Sequence, residues 1–478
     1  MACTSFAPNL TAAEQARFLY EAIPPGLFKV ENAEDRIAWR VSPEPFALSP
    51  AHATTLETIG RDLAIFYRGL NNLYNRSARG TAPSFIAEYL DRGKPEHIVR
   101  LARQNRFKQD LPAVIRPDLI LTEDGFVAAE LDSVPGGMGF VGAMSETYCQ
   151  LGMESLGGAH GIADGFGAMV RAQSGQDKPI VAIVVSEESA DYRPELRWLA
   201  DALARTENPI EAFVCAPQEI VFTEEALFVR MADGREEKID VLYRNFELFD
   251  LLNVPKQELL LYSARHNRVK MTPPPKAHLE EKLAFALFHH PALGKLWRDE
   301  LGRETYDRLA KVFPQTWVID PRPLPPQAVI YGLEAGGKPV SDWMALLELG
   351  KSERDFVVKP SGFSALAWGS KGVRVANDLT KDEWQATLSE AINEFEKTPR
   401  ILQRFHKAKR VTQTYFDREK DEIRTFDGRA RLCPYYFVAG DNVTLGGVLA
   451  TVAPADKRLI HGMTDAVMCP TYVRIDGN

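Results

Sequence analysis

The chain has 478 residues, with 57 lysines and arginines against 65 aspartates and glutamates and a formal net charge of −8. Charges of both signs are mixed along the sequence, so there is no long basic stripe for a nucleic-acid backbone. No apolar run approaches the roughly 20 residues that a transmembrane helix needs. We therefore expect a protein that binds neither nucleic acid nor a membrane.

Length and the N-terminal sequence indicate the organisation and the compartment. A chain of this size exceeds the range in which a single hydrophobic core keeps growing, so two or three packed lobes are expected. The first residues lack a basic segment followed by an apolar core, and the five cysteines show no Cys-x-x-Cys spacing. The sequence thus predicts a cytoplasmic protein without a disulfide framework or a zinc site.

Residues 11 to about 110 are predicted to be helical. Apolar side chains recur every three or four positions in part of this stretch, which places them on one helix face: Leu56, Ile59, Leu63, Phe66, Leu70 and Leu73. We expect a supporting helical layer here.

After this stretch the hydrophobic period changes to two, which predicts a β-hairpin over residues 115–132. If the three residues Glu123-Asp124-Gly125 form the turn, Asp118 lies opposite Glu130. A two-residue turn would shift the pairing by one and break an apolar face, so the pattern favours the three-residue turn. The apolar side chains that would share that face are Leu119, Leu121, Val127, Ala129 and Leu131.

The other face of the open end carries charged side chains: Arg116, Asp118, Glu130 and Asp132. Three carboxylates within a few ångströms repel one another unless a cation lies among them. Mg²⁺ prefers such oxygen ligands and completes its coordination with water and substrate phosphates. The hairpin therefore predicts a magnesium site at Asp118, Glu130 and Asp132. The alternative is a solvated acidic face with Arg116 as a structural ion-pair partner.

A strand-helix-strand unit follows, with strands at 180–185 and 210–215 and an amphipathic stretch at 194–205 between them. This order is typical of an open α/β sheet. Proline clusters near residues 272–282 and 320–327 punctuate the mainly helical stretch that comes next, and we interpret them as lobe boundaries.

A short strand over residues 355–359 presents Lys359 at its end. The glycine-rich stretch that follows includes Gly369-Ser370-Lys371-Gly372, whose backbone N–H groups could close over an anion while Lys359 and Lys371 neutralise its charge. The stretch does not match Gly-x-x-x-x-Gly-Lys-[Ser/Thr], and a strand is predicted to return after it. We therefore predict a phosphate-binding flap between two strands, with a mobile surface loop as the alternative.

One segment, Gly137-Met-Gly139-Phe-Val-Gly142, matches the Gly-x-Gly-x-x-Gly pattern of dinucleotide-binding proteins. That fingerprint needs a second strand that ends in Asp or Glu about 20 residues later. Residues 156–167 do not read as such a strand. A nicotinamide-dependent enzyme is therefore a less favoured hypothesis.

The order of these pieces resembles the circularly permuted ATP-grasp ligases, and in particular the glutathionylspermidine synthase-like proteins, over residues 115 to about 470. In that family an Asp on one strand and Glu-x-Asn/Asp on the next hold magnesium, and Asp118, Glu130 and Asp132 match in kind and spacing. The metal carboxylates here precede the lysine lobe, whereas ordinary ATP-grasp enzymes have the reverse order. Asp132 stands where the family commonly has Asn, and Arg404 stands where ATP-grasp enzymes often have Glu.

The resemblance implies ATP and Mg²⁺ as cofactors. It places Lys359 and the flap residues Gly369, Ser370, Lys371 and Gly372 on the phosphates. It places the segment Gln403, Arg404 and Phe405 along adenine. Catalytic stabilisation of the transferred phosphoryl group is implied for Arg116, Lys359 and Arg431, and a further ATP-binding lysine is implied at Lys282 or Lys295.

The fold implied by the resemblance is an α/β ATP-grasp fold of the circularly permuted kind with a helical N-terminal region. The chain is then expected to divide into five segments: a helical region at 1–112, a metal-binding part of the ATP-grasp core at 113–175, an α/β substrate-side lobe at 176–270, a helical connector at 271–350, and an ATP-grasp lobe with the flap and adenine-side strands at 351–478.

The implied reaction is ATP-dependent joining of a small-molecule or peptide-like carboxylate to an amine through an acyl phosphate. A second hypothesis is a nucleotide-binding protein without ligase activity. The acidic trio argues against this second hypothesis, because a non-catalytic site has no need to hold a metal for phosphoryl transfer.

Overall fold

The computed structural model describes residues 10–29, 37–231, 233–367, 371–457 and 459–474. These residues form a mixed α/β structure with two compact units. Unit 1 comprises the described residues of 1–64, 112–274 and 408–478, and unit 2 those of 65–111 and 275–407. Each unit therefore draws on several of the five predicted segments.

The described residues include twelve α-helices, two of which begin with a Thr-x-x-Glu capping box, at Thr11 and Thr380. The helices are α1 (Ala12–Ala22), α2 (Pro50–Ala78), α3 (Phe85–Asp91), α4 (Glu96–Ala102), α5 (Met138–Gln150), α6 (Gly161–Ser174), α7 (Arg193–Leu203), α8 (Gln257–Arg265), α9 (Leu283–His289), α10 (Gly294–Leu301), α11 (Arg303–Val312) and α12 (Lys381–Asn393).

Twenty strands alternate with these helices along the part of the chain that is described. They are β1 (Phe46–Leu48), β2 (Val114–Thr122), β3 (Gly125–Asp132), β4 (Ile180–Val185), β5 (Glu211–Cys215), β6 (Ile220–Phe222), β7 (Leu227–Arg230), β8 (Glu236–Lys238), β9 (Val241–Asn245), β10 (Lys270–Thr272), β11 (Thr316–Val318), β12 (Glu334–Ala335), β13 (Lys338–Pro339), β14 (Phe356–Pro360), β15 (Arg374–Val375), β16 (Arg400–Arg404), β17 (Arg410–Asp417), β18 (Glu422–Ala439), β19 (Asn442–Pro454) and β20 (Val467–Val473).

The largest sheet of unit 1 has seven strands in the order β1-β20-β19-β18-β2-β3, with β17 paired to β18. The long strand β18 pairs antiparallel with β17, β19 and β2. Helix α6 packs against β18 and β19. Because β3 lies at the end of this order and β18 is the other neighbour of β2, side chains from β2, β3 and β18 can meet on one face.

A second sheet of unit 1 is parallel and has the order β10-β9-β4-β5. Helix α7 connects β4 to β5 and packs against β5, which confirms the predicted strand-helix-strand unit. A three-stranded antiparallel sheet, β6-β7-β8, follows it in the chain.

Unit 2 contains a four-stranded antiparallel sheet in the order β11-β16-β14-β15 and a small β12-β13 pair. Strand β15 runs antiparallel to β14, with Val357 opposite Val375. The prediction that a strand returns after the glycine-rich stretch is thus confirmed. One face of this sheet packs into a core that is rich in tryptophan: Trp317, Trp343 and Trp384, with Phe356, Val358 and Leu402.

The apolar face predicted within residues 11–110 belongs to α2, a helix of 29 residues. All six of its predicted side chains are buried: Leu56, Ile59, Leu63, Phe66, Leu70 and Leu73. Within the described residues, no helix is both long and apolar enough to cross a bilayer.

The cysteines differ from expectation at one position. Cys215, Cys433 and Cys469 are free and buried, but Cys149 is disulfide-bonded. Sequence analysis missed this bond because a single bridge leaves no spacing pattern of the kind that marks a disulfide framework. The cytoplasmic location stays a prediction.

Helix α2 approaches the large sheet of unit 1 at Gly60. A Cβ atom at this position would lie 2.3 Å from the ring of Tyr436, which is fully buried. We expect Gly60→Ala to lower the free energy of unfolding by about 1–3 kcal/mol, because the ring must shift within a packed core. Urea unfolding measures this change.

The matched control is Gly167→Ala in α6, where the nearest atoms to the added Cβ would lie at 3.5 Å. Alanine is the better helix former, so this variant should gain roughly 0.5–1 kcal/mol. Equal effects of the two substitutions would contradict the account of the α2 contact.

Candidate functional site

Strands β2 and β3 are joined by a two-residue turn, not by the predicted three-residue turn. Thr122 pairs with Gly125, and a β-bulge beside Asp118 then shifts the register by one residue. After the bulge, Asp118 lies opposite Glu130, as predicted. The turn prediction is wrong and the pairing at the open end is confirmed. The extra residue of a bulge interrupts the alternation of faces, but residues 126–129 are all apolar and hide the interruption, which is why the error arose.

The turn also decides which apolar side chains are buried. With a two-residue turn, Phe126 and Ala128 lie opposite Leu121 and Leu119, and these four side chains are buried. The three β3 residues predicted for this face, Val127, Ala129 and Leu131, are only half-buried. The predicted membership of the packed face is therefore wrong for them.

Two arginines lie among the predicted metal carboxylates. The Arg116 guanidinium is 3.1 Å from Asp118 Oδ1 and 3.0 Å from Asp132 Oδ2. Arg431 Nη1, on β18, donates to Asp118 Oδ2 at 2.9 Å. Cys433 is two residues further along the same strand face, and its thiol donates to Asp118 Oδ1 at 3.4 Å. Asp118, which is 7% exposed, thus forms ion pairs with two guanidinium groups and accepts hydrogen bonds from Arg431 and from the Cys433 thiol.

The charges in this cluster change one another's protonation. Burial alone would lower the pKa of Arg116, but Asp118 and Asp132 raise it well above its ordinary value. Burial raises the pKa of Asp132; Arg116 opposes this effect and Glu130 adds to it. Three carboxylates and two guanidinium groups meet here, so a further positive charge is electrostatically favoured.

The arrangement seen is one of ion pairs. Among the described residues, no group of three or more His, Cys, Asp or Glu side chains is placed so that it could hold a metal ion. In the hairpin the reason is visible, because guanidinium groups lie against the oxygens of Asp118 and Asp132. The donor set of Asp118, Glu130 and Asp132 fits Mg²⁺ in chemical type. Magnesium binding stays a prediction.

Sequence analysis missed two partners of this cluster on β18, Cys433 and Tyr435. The Tyr435 hydroxyl donates to the Gly136 carbonyl at 2.8 Å, and Arg116 reaches the same oxygen at 3.4 Å. Cys433 and Tyr435 lie two and four residues after Arg431. Since every second side chain of a strand lies on the same face, the sequence could have predicted that all three share a face.

In unit 2 the structure brings Lys359 and Gln403 together. Lys359 is only 6% exposed, and its Nζ donates to Gln403 Oε1 at 2.8 Å. The amide of Gln403 donates to Thr316 Oγ1 at 3.2 Å. These three residues lie on neighbouring strands of the four-stranded sheet and share one face.

Arg404 does not join Lys359. Its guanidinium lies 4.8 Å from the ring centroid of Phe356 and 5.7 Å from that of Trp317, on the other face of the sheet. Successive residues of a strand point to opposite faces of the sheet. Because Gln403 contacts Lys359, the next residue, Arg404, cannot contact it from the same strand. Phe405 is half-buried, just after the end of β16.

The flap is described in part. Gly369 and Ser370 lie outside the described residues. Lys371 is exposed. The Gly372 N–H donates to the Leu366 carbonyl at 2.8 Å, which closes the described ends of the flap onto each other.

The two candidates for a further ATP-binding lysine differ in their surroundings. Lys295 is exposed, and it pairs with Asp299 at 2.7 Å on the outside of α10. Lys282 is buried and immediately precedes α9.

The Gly-x-Gly-x-x-Gly segment packs two helices together. Glu195 of α7 accepts the N–H groups of Gly137 at 2.8 Å and Phe140 at 3.3 Å, and also that of Gly139, at the start of α5. A Cβ at Gly139 would lie 1.7 Å from the Glu195 carbonyl oxygen, and one at Gly142 would lie 2.5 Å from a tryptophan ring of α7. The N–H groups that would bind a pyrophosphate are thus bonded to the protein's own carboxylate.

Comparisons with known proteins give a fold likeness only. No protein-family model matches the chain, and no curated protein matches it. A glutathione synthetase-like effector (GSS30) from Globodera pallida, in apo form, matches with a TM-score of 0.58 and 12% identity over 99% of this chain and 100% of that one. A putative gamma-glutamylcysteine synthetase from Methylobacillus flagellatus KT matches over 84% of each chain with a TM-score of 0.36 and 11% identity, which is too weak a likeness to carry an argument.

The likeness to the effector shows the fold alone, which is a mixed α/β fold similar to that of a glutathione synthetase-like protein. The predicted α/β class is confirmed at this level. The ATP-grasp assignment, the circular permutation and the likeness to glutathionylspermidine synthase stay predictions.

Glu195 should give the protein a measurable pH dependence. Burial raises its pKa from an ordinary value of 4.5 to about 7, against the effect of three N–H donors. Between these values the folded protein holds a proton that the unfolded chain has released, so the free energy of unfolding falls as the pH rises. The shift corresponds to a loss of about 3 kcal/mol.

Urea unfolding between pH 4.5 and 8 tests this dependence. Glu195→Gln should remove it, so the stability of the variant relative to wild type should rise with pH across the window. The exposed Glu225→Gln serves as the control and should track wild type. Parallel curves for wild type and Glu195→Gln would contradict the assigned pKa.

Proposed function

We propose that the protein is an ATP-dependent ligase that joins a carboxylate to an amine through an acyl phosphate. The observation that carries the proposal is the cluster on β2, β3 and β18, in which Arg116 and Arg431 alternate with the carboxylates Asp118 and Asp132. Glu130 lies directly opposite Asp118. Such a set offers both the cations and the carboxylates that a magnesium–polyphosphate complex requires.

The arginines in this cluster are chemically suited to phosphate. A guanidinium group binds phosphate oxygens through the same pair of N–H groups with which it binds a carboxylate. In our proposal Arg116 and Arg431 exchange their carboxylate partners for phosphate oxygens when the nucleotide binds. Asp118 and Asp132 then become available to a cation. The ion pairs thus offset the charge of Asp118 and Asp132 until the nucleotide binds.

Magnesium, when bound, neutralises the charge on the phosphate oxygens. The donors that would hold it are Asp118, Glu130 and Asp132. Lys359, which is buried at the end of a strand and donates to the amide oxygen of Gln403, is proposed to contribute a further positive charge. A cation in such surroundings attracts phosphate more strongly than one in water.

The chemistry then follows from positioning. The substrate carboxylate attacks the terminal phosphorus of ATP, ADP leaves, and the amine displaces inorganic phosphate from the acyl phosphate. Arg116, Lys359 and Arg431 are the groups proposed to stabilise the transferred phosphoryl group. The fold likeness and the order of the motifs, in which the carboxylates precede the lysine, support this assignment. The cytoplasmic location predicted from the N-terminal sequence remains part of the proposal.

A second candidate is a nucleotide-binding protein without turnover. The observation that favours it is the set of ion pairs that occupies Asp118 and Asp132, together with the lack of a metal-binding group among the described residues. ADP release that depends on both an added carboxylate and an added amine separates the two candidates, because only the ligase produces it.

Nucleotide binding itself is tested by unfolding in the presence of magnesium and a non-hydrolysable ATP analogue. At a hundredfold excess over its dissociation constant the analogue should raise the free energy of unfolding by about 2.7 kcal/mol. Lys359→Ala and Glu130→Ala should each abolish this gain, because the phosphates lose a cation or the metal loses a ligand.

The control is Lys381→Ala, which removes an exposed lysine that pairs with Glu348. This variant should keep the full response to the analogue. NAD in place of the analogue should give no response. Stabilisation by NAD, or an analogue response that survives both substitutions, would refute the proposed site.

A further inference from the structure

A buried carboxylate in unit 2 holds the chain segment that follows Lys359. Glu281 lies just before α9, and its side chain is fully buried. Its Oε2 is 2.6 Å from the ammonium of Lys94 and accepts the hydroxyl of Ser361 at 2.6 Å. Its Oε1 accepts the N–H of Gly362 at 2.8 Å. The Leu283 N–H also donates to Oε1, at 3.4 Å. An ammonium group, a hydroxyl and two backbone N–H groups thus converge on one carboxylate.

The segment held in this way is the start of the flap. Strand β14 ends at Pro360, and the Ser361 N–H still donates to the Pro399 carbonyl at 2.8 Å. At Gly362 the chain comes so close to the backbone before α9 that a Cβ would lie 1.8 Å from the Glu280 carbonyl oxygen. Only glycine fits at this position. The chain therefore leaves β14 along a path fixed by direct backbone contact and by the Glu281 carboxylate.

The pair of Glu281 and Lys94 is fully removed from water, since their side chains are 0% and 1% exposed. Burial of Glu281 would raise its pKa, but Lys94, Ser361 and Gly362 together lower it, so the carboxylate is ionised at neutral pH. Replacement of a buried ion pair by apolar groups is often neutral for stability, so global stability alone gives a weak reason for such a pair. A role in fixing geometry accounts for it better.

We infer that Glu281, held by Lys94, is a positioning residue that sets the location of Lys359 and of the first flap residues against the nucleotide phosphates. The inference rests on the proposed function. Ser361 is two residues from Lys359, so a loosened turn at Ser361 and Gly362 lets the end of β14 vary in position. A lysine whose position is not fixed in advance binds phosphate more weakly, because part of the binding free energy is then used to order its side chain.

The test uses the double variant Lys94→Met with Glu281→Met, which removes both charges and retains side-chain length. Two quantities are measured: hydrogen exchange of the amides at 362–367, and the affinity for the magnesium complex of a non-hydrolysable ATP analogue. We expect exchange in this segment to become at least tenfold faster and the affinity to fall at least tenfold. Ser361→Ala, which keeps the ion pair, should change both quantities in the same direction by a smaller factor.

Two controls separate positioning from general loss of structure. Lys94→Arg keeps the ion pair and should retain wild-type affinity. Asp320→Leu with Arg322→Met removes another carboxylate of unit 2 that holds the same three kinds of donor: the Arg322 side chain, a backbone N–H and the Tyr89 hydroxyl. This second double variant should leave both the exchange at 362–367 and the analogue affinity unchanged.

Wild-type exchange at 362–367 in the Glu281 double variant would overturn the inference, as would an analogue affinity within twofold of wild type. The two proposals fail in different ways. A wild-type protein that does not bind the analogue overturns the proposed function, and with it the role of Glu281 toward phosphate. A wild-type protein that binds it, beside a Glu281 double variant that binds equally well, overturns the positioning role alone.

Discussion

The shared carboxylate of Asp118 is the interaction on which the candidate site depends. Arg116 reaches it from its own strand, and Arg431 and Cys433 reach it from β18. The contacts from β18 require β2 to pair with β18 in the correct register. The β-bulge beside Asp118 then sets the register of β3, because it places Glu130 and Asp132 opposite Asp118 and Arg116. A single irregularity in the pairing thus decides whether the carboxylates of β3 join the charged side chains of β2 and β18.

Two buried carboxyl groups, those of Glu195 and Glu281, are each held by several partners. Glu195 accepts three N–H groups at the start of α5, and Glu281 accepts a lysine, a hydroxyl and an N–H at the end of β14. Each joins parts of its own unit that are far apart in sequence. A buried carboxyl group is costly unless its oxygens find hydrogen-bond partners, so it fixes the geometry of the segments that supply those partners.

Residue periodicity was enough to locate much of the fold. The alternation over residues 115–132 predicted the hairpin, and the unit around β4 and α7 followed from apolar runs and an amphipathic stretch between them. The position of Lys359 at a strand end could also be predicted. The side chain of Arg404 lies on the face of the sheet opposite to Gln403. This was predictable in principle, because Gln403 had already been assigned to the nucleotide and neighbouring residues of a strand point to opposite faces.

Other features depend on contacts that no local pattern records. The two-residue turn shifts the β2–β3 register by one residue, and the bulge shifts it back. The pairing of Asp118 with Glu130 was therefore predicted correctly although the predicted turn was wrong. Glu195 binds a glycine-rich segment more than 50 residues away, and Glu281 pairs with a lysine from a helical region. The occupation of Asp118 and Asp132 by guanidinium groups was equally hidden, since Arg431 is 313 residues from Asp118.

The central claim is that Arg116 and Arg431 hold the carboxylates of the cluster until nucleotide phosphates replace them. Manganese in place of magnesium, followed by electron paramagnetic resonance, tests it most directly. The account predicts that Mn²⁺ binds tightly only when the non-hydrolysable ATP analogue is present, and that Asp118→Asn weakens this binding. Tight binding of Mn²⁺ without the analogue, or no protein-bound Mn²⁺ with it, would contradict the account.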